Sequence, residues 1–381
     1  MRDPVIVEAI RTPFAKRGGA YAAIRPNALL AEQLRELVRR SELSPGRIGD
    51  IVAGCVSQAG EQSANIARQA ALLAGLPVEV PALTLNRMCG SGQTAVHLAA
   101  QAVAAGDMDY AIAGGVESMS RVPMFLDVTL GPAFRDWSSL SPELLAQHDM
   151  LHQGESAELV ASHWGIARPE LDAFAAESHR KAHASTALPH REIVPLREGG
   201  LRTDEGVRAQ LDREKMASLQ PLFRSEGGVV TAGNASQMTD GAAALLVGDA
   251  AAVRADGLRP RARFRARVVV GSDPRMQLDG VIPATRAALK KAGADLGNID
   301  WIEVNEAFAC VPIAWARELG VGLERLNPWG GAIAHGHPLG ATGVALTGKA
   351  LAGLEATGGT LALVVFCVGH GMATATVVER I

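Results

Sequence analysis

Asn86-Arg87-Met88-Cys89-Gly90-Ser91-Gly92-Gln93-Thr94-Ala95-Val96 sets a cysteine between the end of an apolar run and the start of a small-residue helix. Ala82–Leu85 before it reads as a strand, and Thr94–Ala105 after it has helical spacing. A strand that turns on glycines straight into a helix is the building unit of an α/β sheet. The same turn puts Cys89 where a helix dipole and free N–H groups favour a thiolate, so a lowered thiol pKa is expected. It also exposes the sulfur beside a backbone N–H that could meet an oxyanion. For Cys89 taken alone, the plainer alternative is a small buried residue packed as a hydrophobe.

Working outward, strand-length apolar runs occur at Val5–Ile10, Asp50–Val56, Tyr110–Gly114, Ala262–Val270, Trp301–Val304, Thr360–Cys367 and Ala373–Val378. Most are continuous rather than alternating, which predicts strands buried on both faces. Helical patterns separate them at Leu29–Arg40, Ala64–Leu73, Ala284–Ala292, Pro312–Leu319 and Val344–Leu354. The two ends of the chain resemble each other. Pro45-Gly46-Arg47-Ile48-Gly49-Asp50-Ile51-Val52 returns in outline as Ala294-Asp295-Leu296-Gly297-Asn298-Ile299-Asp300-Trp301-Ile302, and a Gly-rich turn, helix and strand follow each copy. This predicts a duplicated α/β unit.

The middle breaks the pattern. Arg121–Pro142 is irregular, helical stretches follow at Glu155–Trp164 and Pro169–Leu188, and Arg197–Gly228 is polar. The expected division is an N-terminal half beginning with 1–116, an inserted loop domain over 117–249 that returns to that half near its end, and a C-terminal half over 250–381. Insertions on a rigid scaffold commonly carry binding groups.

Composition excludes several classes. With 381 residues, 48% hydrophobic and 20% charged, the chain has ample material for a core and is not a disordered protein. A net charge of −3 offers no basic field for a nucleic-acid backbone. The 41 glycines permit close packing and tight turns near a ligand. Four separated cysteines, at 55, 89, 310 and 367, form neither a disulfide framework nor a zinc motif. No apolar run reaches the roughly 18 residues of a membrane span, and the N-terminus does not read as a signal peptide, so a cytoplasmic protein is expected.

Three further segments could carry chemistry. Gly330-Gly331-Ala332-Ile333-Ala334-His335-Gly336-His337-Pro338-Leu339-Gly340-Ala341-Thr342-Gly343 fixes two histidines in a tight backbone before a helix. No carboxylate or cysteine stands at ligand spacing, so no metal is expected, and a histidine here suits proton transfer from a thiol. It could equally be a histidine held in a turn. Phe366-Cys367-Val368-Gly369-His370-Gly371-Met372 ends a buried strand on a cysteine, which alone reads as structural. Asn305-Glu306-Ala307-Phe308-Ala309 alone is an ordinary N-cap signal.

Together these segments resemble the thiolase family. The resemblance also rests on Arg11-Thr12-Pro13, Gly18-Gly19, Thr231-Ala232-Gly233-Asn234-Ala235-Ser236 and Asp240-Gly241-Ala242-Ala243, and it covers nearly the whole chain. It implies an α/β fold: a five-layer αβαβα sandwich of two βαβαβαββ halves with an inserted loop domain. It implies Cys89 as the nucleophile that takes an acyl group and His337 as its activator. Cys367 would be the acid/base at the α-carbon of the second acyl-CoA. Asn305, through a water, and His337 would hold that substrate's thioester oxygen. The N–H groups of Cys89 and Gly369 would meet the tetrahedral oxyanion. Coenzyme A and acyl-CoA would be substrates, with no permanently bound cofactor, in a homodimer or homotetramer. Arg208 would lie against the adenine and Ser236 against the pantetheine, with Ala232 beside them and His152 and Phe308 lining the pocket.

The implied reaction exchanges acyl-CoA plus acetyl-CoA with 3-ketoacyl-CoA plus CoA. A decarboxylating superfamily member would use a Cys-His-His set, which this chain lacks, and a silent acyl-CoA binder would not need all four catalytic positions filled. Three departures stand out: Gln153 where short-chain members often have methionine, His370 beside Cys367 in place of glycine, and Gln237 after Ser236. Gln153 is expected either to face the acyl group in a more open pocket or to be rotated out of the site.

Overall fold

The computed structural model describes residues 2–129, 140–196 and 200–381. Positions 130–139 of the irregular stretch and 197–199 of the polar stretch lie outside the described residues. From the N-terminus run β1 (Pro4–Arg11), β2 (Ala15–Lys16), α1 (Pro26–Ser41), β3 (Ile48–Gly54), α2 (Ile66–Leu73), β4 (Ala82–Leu85), α3 (Ser91–Ala105) and β5 (Tyr110–Ser118). The inserted region carries α4 (Leu126–Thr129), α5 (Pro142–Gln147), α6 (Gln153–His163), α7 (Arg168–Ser185) and α8 (Arg213–Ala217). Then follow β6 (Thr239–Asp249), α9 (Ala250–Ala255), β7 (Ala262–Gly271), α10 (Val281–Ala292), β8 (Trp301–Val304), α11 (Cys310–Leu319), α12 (Ala332–His335), α13 (Leu339–Thr357), β9 (Leu361–Val368) and β10 (Met372–Arg380).

The hydrogen-bonded strand order is β4-β3-β5-β6-β1-β7-β10-β9-β8, with β2 on β6. This order is nearly a palindrome about the β1–β7 seam, where only Val5↔Arg263 and Ile6↔Ala262 pair. Each half has parallel strands outside (β3 with β4 and β5, β8 with β9) and antiparallel strands toward the seam. The halves differ at the outer edge. In the second half the strand equivalent to β4 is reduced to one parallel bridge, Ile302↔Leu326.

The layers follow from which helix faces are apolar. Pro26 opens α1, and Leu29, Leu30, Leu34 and Leu37 bury one face of it against the first half-sheet, while Arg39 and Arg40 occupy its last turn. The helix α13 is buried all round from Leu339 to Leu354, as only a central helix can be. It packs with α3 between the half-sheets, α1 and α2 cover the first outer face, and α10 and α11 cover the second. That is five layers, αβαβα.

Two strand readings need correction. β7 alternates between buried and exposed residues, and β4 is only partly buried, with Leu83 48% exposed. These strands have a face or an edge without a covering layer, so they are not buried on both faces as continuous apolar runs suggest. β6 was not among the expected strands, yet it is buried throughout and pairs with both β5 and β1. Among the described residues no helix is long and apolar enough to cross a membrane.

Candidate active site

Cys89 precedes α3 and His337 precedes α13, so the two helix N-termini decide whether these residues can meet. Glycines bring them together. A β-carbon on Gly92 would lie 2.7 Å from Gly340 O, and one on Gly343 would collide with Gln93 N. Gly54, at the end of β3, and Gly115, within β5, press against Gly340 in the same way. Any side chain at these positions would push the two N-termini apart. Backbone strain adds to the turn before Cys89, since Met88 has φ +44.

Around the sulfur the donors converge. The backbone N–H groups of Cys89 and Gly369 and the side chain of Gln153 all act on the Cys89 thiol as donors that lower its pKa. Burial nevertheless dominates: Cys89 is 3% exposed and its thiol is pushed up to about 11. The expectation of an exposed, lowered-pKa sulfur is therefore corrected. Removing water from a thiolate costs more here than the nearby dipoles return. At neutral pH Cys89 is a thiol.

His337 is held as a neutral imidazole. Its Nδ1 lies 2.7 Å from Thr342 Oγ1, whose own hydroxyl donates to Pro338 O at 2.8 Å. The Thr342 oxygen must then accept from Nδ1–H, which leaves the lone pair on Nε2. Nε2 lies 3.3 Å from Asn305 Nδ2. Burial lowers the imidazole to about 4, so it is neutral and able to accept a proton at pH 7. Asn305, at the end of β8, is 1% exposed and its Oδ1 has no partner among the described residues. A buried amide oxygen left open is placed for a water or a substrate atom.

Cys367, next to last in β9, is fully buried; burial raises its pKa well above the usual thiol value, with neighbouring Cys89 and Cys310 adding to the rise. The turn after it runs through His370 at φ +64 and Gly371 at φ +74. His370 is half-buried and spends its N–H on Gln277 Oε1 at 2.9 Å.

The expected binding residues gather on one side. The segment 234–236 is laced to 307–309 by Ser236 N to Ala307 O and Ala309 N to Asn234 O, both 2.9 Å, which sets Ser236 beside Phe308. His152 caps α6 and stacks against Phe125 and Phe223, and Phe223 meets Phe308 edge-on at 6.1 Å. Arg208 and Ala232 are exposed on the inserted region, with Arg208 N–H donating to His179 Nδ1. Gln237 packs on Gly206, and its side chain donates to Ile333 O and Ala334 O, bonds a glycine could not make, while its backbone carbonyl accepts the His337 N–H.

Sequence reasoning passed over Thr342, Phe223, Gln277 and Glu117. The Glu117 carboxylate is fully buried and accepts from Val56 N, Ser57 N, Gln62 Nε2 and Gly340 N at 2.7–3.1 Å. A carboxylate inside a continuous apolar strand was the signal available for it. Among the described residues no cluster of three or more His, Cys, Asp or Glu side chains is placed to hold a metal ion.

Residues 4–251 match the model of a thiolase N-terminal domain, and 258–380 match that of a thiolase C-terminal domain. The whole chain aligns at 42% identity with 95% of a steroid 3-ketoacyl-CoA thiolase of Mycobacterium tuberculosis. It aligns end to end at 42% with a beta-ketoadipyl-CoA thiolase of Acinetobacter baylyi and at 43% with a 3-ketoacyl-CoA thiolase of Aeromonas hydrophila.

Proposed function

The chain belongs to the thiolase family and acts as an acyl-CoA thiolase, and from that premise we propose that acetyl-CoA is its two-carbon partner and Cys89 its acyl carrier. The observation that carries this reading is the convergence of the Cys89 and Gly369 N–H groups on one sulfur. In the first half-reaction His337 Nε2 takes the Cys89 proton and the sulfur attacks the thioester carbonyl. The two N–H groups meet the oxyanion. Cys367 gives its proton to the departing coenzyme A thiolate, which leaves a Cys367 thiolate and a His337 imidazolium in the acylated site.

In the second half-reaction the Cys367 thiolate removes a proton from the α-carbon of acetyl-CoA. His337 and a water on Asn305 hold the thioester oxygen while the carbanion attacks the acyl-Cys89 carbonyl. 3-Ketoacyl-CoA leaves, the imidazolium returns its proton to Cys89, and Cys367 keeps the proton taken from the α-carbon. Thiolysis runs the same steps in reverse. Two thiols suit this chemistry because a thiolate is both nucleophile and base.

Coenzyme A lies over the inserted domain, 117–249, with Arg208 toward the adenine and Ser236, Ala232, His152, Phe308 and Gln153 along the pantetheine and acyl path. Val56, Met88, Met119, Met124 and Leu339 pack around Cys89. Soft, methionine-rich walls adapt to varied acyl groups, which favours longer or functionalised 3-ketoacyl-CoA esters over acetoacetyl-CoA alone. The outer edge of β4 has no strand partner among the described residues, which supports a homodimer joined there, or a homotetramer built from it. Peptide mapping after incubation with labelled acetyl-CoA tests the assignment. Label on Cys89 is expected; label on Cys55, Cys310 or Cys367 instead would overturn it. A panel of 3-ketoacyl-CoA esters from short to bulky then sets the acyl range.

A further inference from the structure

Gln153 is the first residue of α6, directly after the His152 cap. Its Nε2 stands 2.6 Å from the point that a β-carbon on Gly369 would occupy. The amide therefore lies over the residue whose N–H points at the nucleophile, and a side chain at 369 would displace it. It is not turned out of the site: it lies against Gly369 and acts on the Cys89 thiol as a donor that lowers its pKa.

A second glutamine holds it there. Gln277 is buried, and its Nε2 donates to Leu151 O at 2.8 Å and to Ser156 Oγ at 2.9 Å. Its Oε1 accepts the His370 N–H. One side chain thus ties the start of α6 to the turn that carries Gly369. Gln277 does this from φ +50 and ψ −52, a conformation that costs energy in a non-glycine residue and persists only where its surroundings over-determine it.

We propose that Gln153 is a third donor to the Cys89 sulfur, beside the Cys89 and Gly369 N–H groups, with Gln277 as its positioning residue, so that the inserted domain tunes the nucleophile. This rests on Cys89 being the nucleophile. An amide N–H stabilises a thiolate without placing a second charge in the site. Methionine, of similar length, fills the space but donates nothing. The other titratable groups that act on the sulfur or feel it are Glu117 from β5 and Cys367 from β9, and both are unchanged in the variants below.

The test is the rate of Cys89 alkylation by iodoacetamide against pH, with the modified peptide quantified in the full chain. Gln153→Met should move the profile up by about one pH unit; because a more basic thiolate is intrinsically more nucleophilic, the rate at fixed pH falls about 3- to 10-fold. Gln153→Glu should slow alkylation further by setting an anion beside the sulfur. Gln277→Ala should shift the profile in the same direction by less. Should Gln153→Met fail to fold, Gln153→Glu decides the matter alone. A Gln153→Met or Gln153→Glu profile that superimposes on the unmodified one overturns the proposal, and an unmoved Gln277→Ala profile removes the positioning role. If acetyl-CoA does not acylate Cys89 in the unmodified chain, the assignment of the nucleophile fails instead, and the two failures are told apart.

Discussion

Glu117 stands next to last in β5, and Cys367 stands next to last in β9, at matching places in two halves whose strand orders mirror each other. Their fates are opposite. Four donors consume the Glu117 carboxylate and bind it to the segment after β3 and the start of α13. Cys367 instead neighbours Cys89 as a buried thiol whose pKa is raised. The residues after β3 and β8 differ in the same sense: Cys55 is a buried thiol, whereas Asn305 keeps an amide oxygen open beside His337. One half thus supplies a saturated support at these positions, and the other supplies groups with spare bonding capacity. The connections differ too. β5 reaches β6 only through the inserted region, while β9 turns into β10 within three residues, so the first half contributes a cover and the second a tight corner carrying Gly369. Duplicated scaffolds can specialise in this way because a strand end fixes where a side chain sits but not what it bonds.

The largest test of this asymmetry is Cys89→Ala, which should abolish acyl-enzyme formation altogether, as read by retention of label from acetyl-CoA. Cys367→Ala comes next. Acylation of Cys89 should partly survive while condensation falls by about 10²–10⁴-fold, the usual reach of a general base. Equal losses in the two half-reactions would make Cys367 as structural as Glu117.

Glu117→Ala should break the support rather than the chemistry. Four buried donors lose their acceptor, at about 1–3 kcal/mol for each group left unsatisfied. Relaxation will recover part of that, so a loss of about 3 kcal/mol or more in denaturant unfolding is expected, together with slower acylation because the Gly340 end of α13 is freed. An unchanged unfolding midpoint would show the carboxylate to be dispensable.

The smallest effect concerns His97, on α3 in the central layer, where burial holds its imidazole down near 3. Its folded pKa lies below the unfolded value of about 6.5, so the unfolded chain binds the proton first. Stability from this residue is complete above about pH 6.5 and is lost as pH falls, by about 2 kcal/mol at pH 5. His97→Gln should flatten the fall in Tm between pH 6.5 and 5 relative to the unmodified chain. Parallel curves would place the acid sensitivity elsewhere, with His337 and His179, also held neutral by burial, as the next residues to replace.

Local information in the sequence determined most of the elements. Apolar runs marked β1, β3, β5, β8, β9 and β10, helical spacing marked the helices between them, and the blocks around Cys89, Asn305, His337 and Cys367 could be singled out from glycine and polar residues alone. β6 escaped because its Ala-Gly-rich run, Thr239–Asp249, closes a polar insertion and becomes a strand only by pairing with β5 and β1, far away in sequence. The tertiary structure alone decided the protonation of Cys89. A helix end is a local, partial charge that a sequence displays, and it predicts a lowered pKa. Burial sums over every layer packed around the sulfur, and at this site it prevails. The same holds for Gln153, Gln277 and Thr342. Their roles are hydrogen bonds to partners set by packing, and nothing in their sequence neighbourhoods fixes where those partners lie.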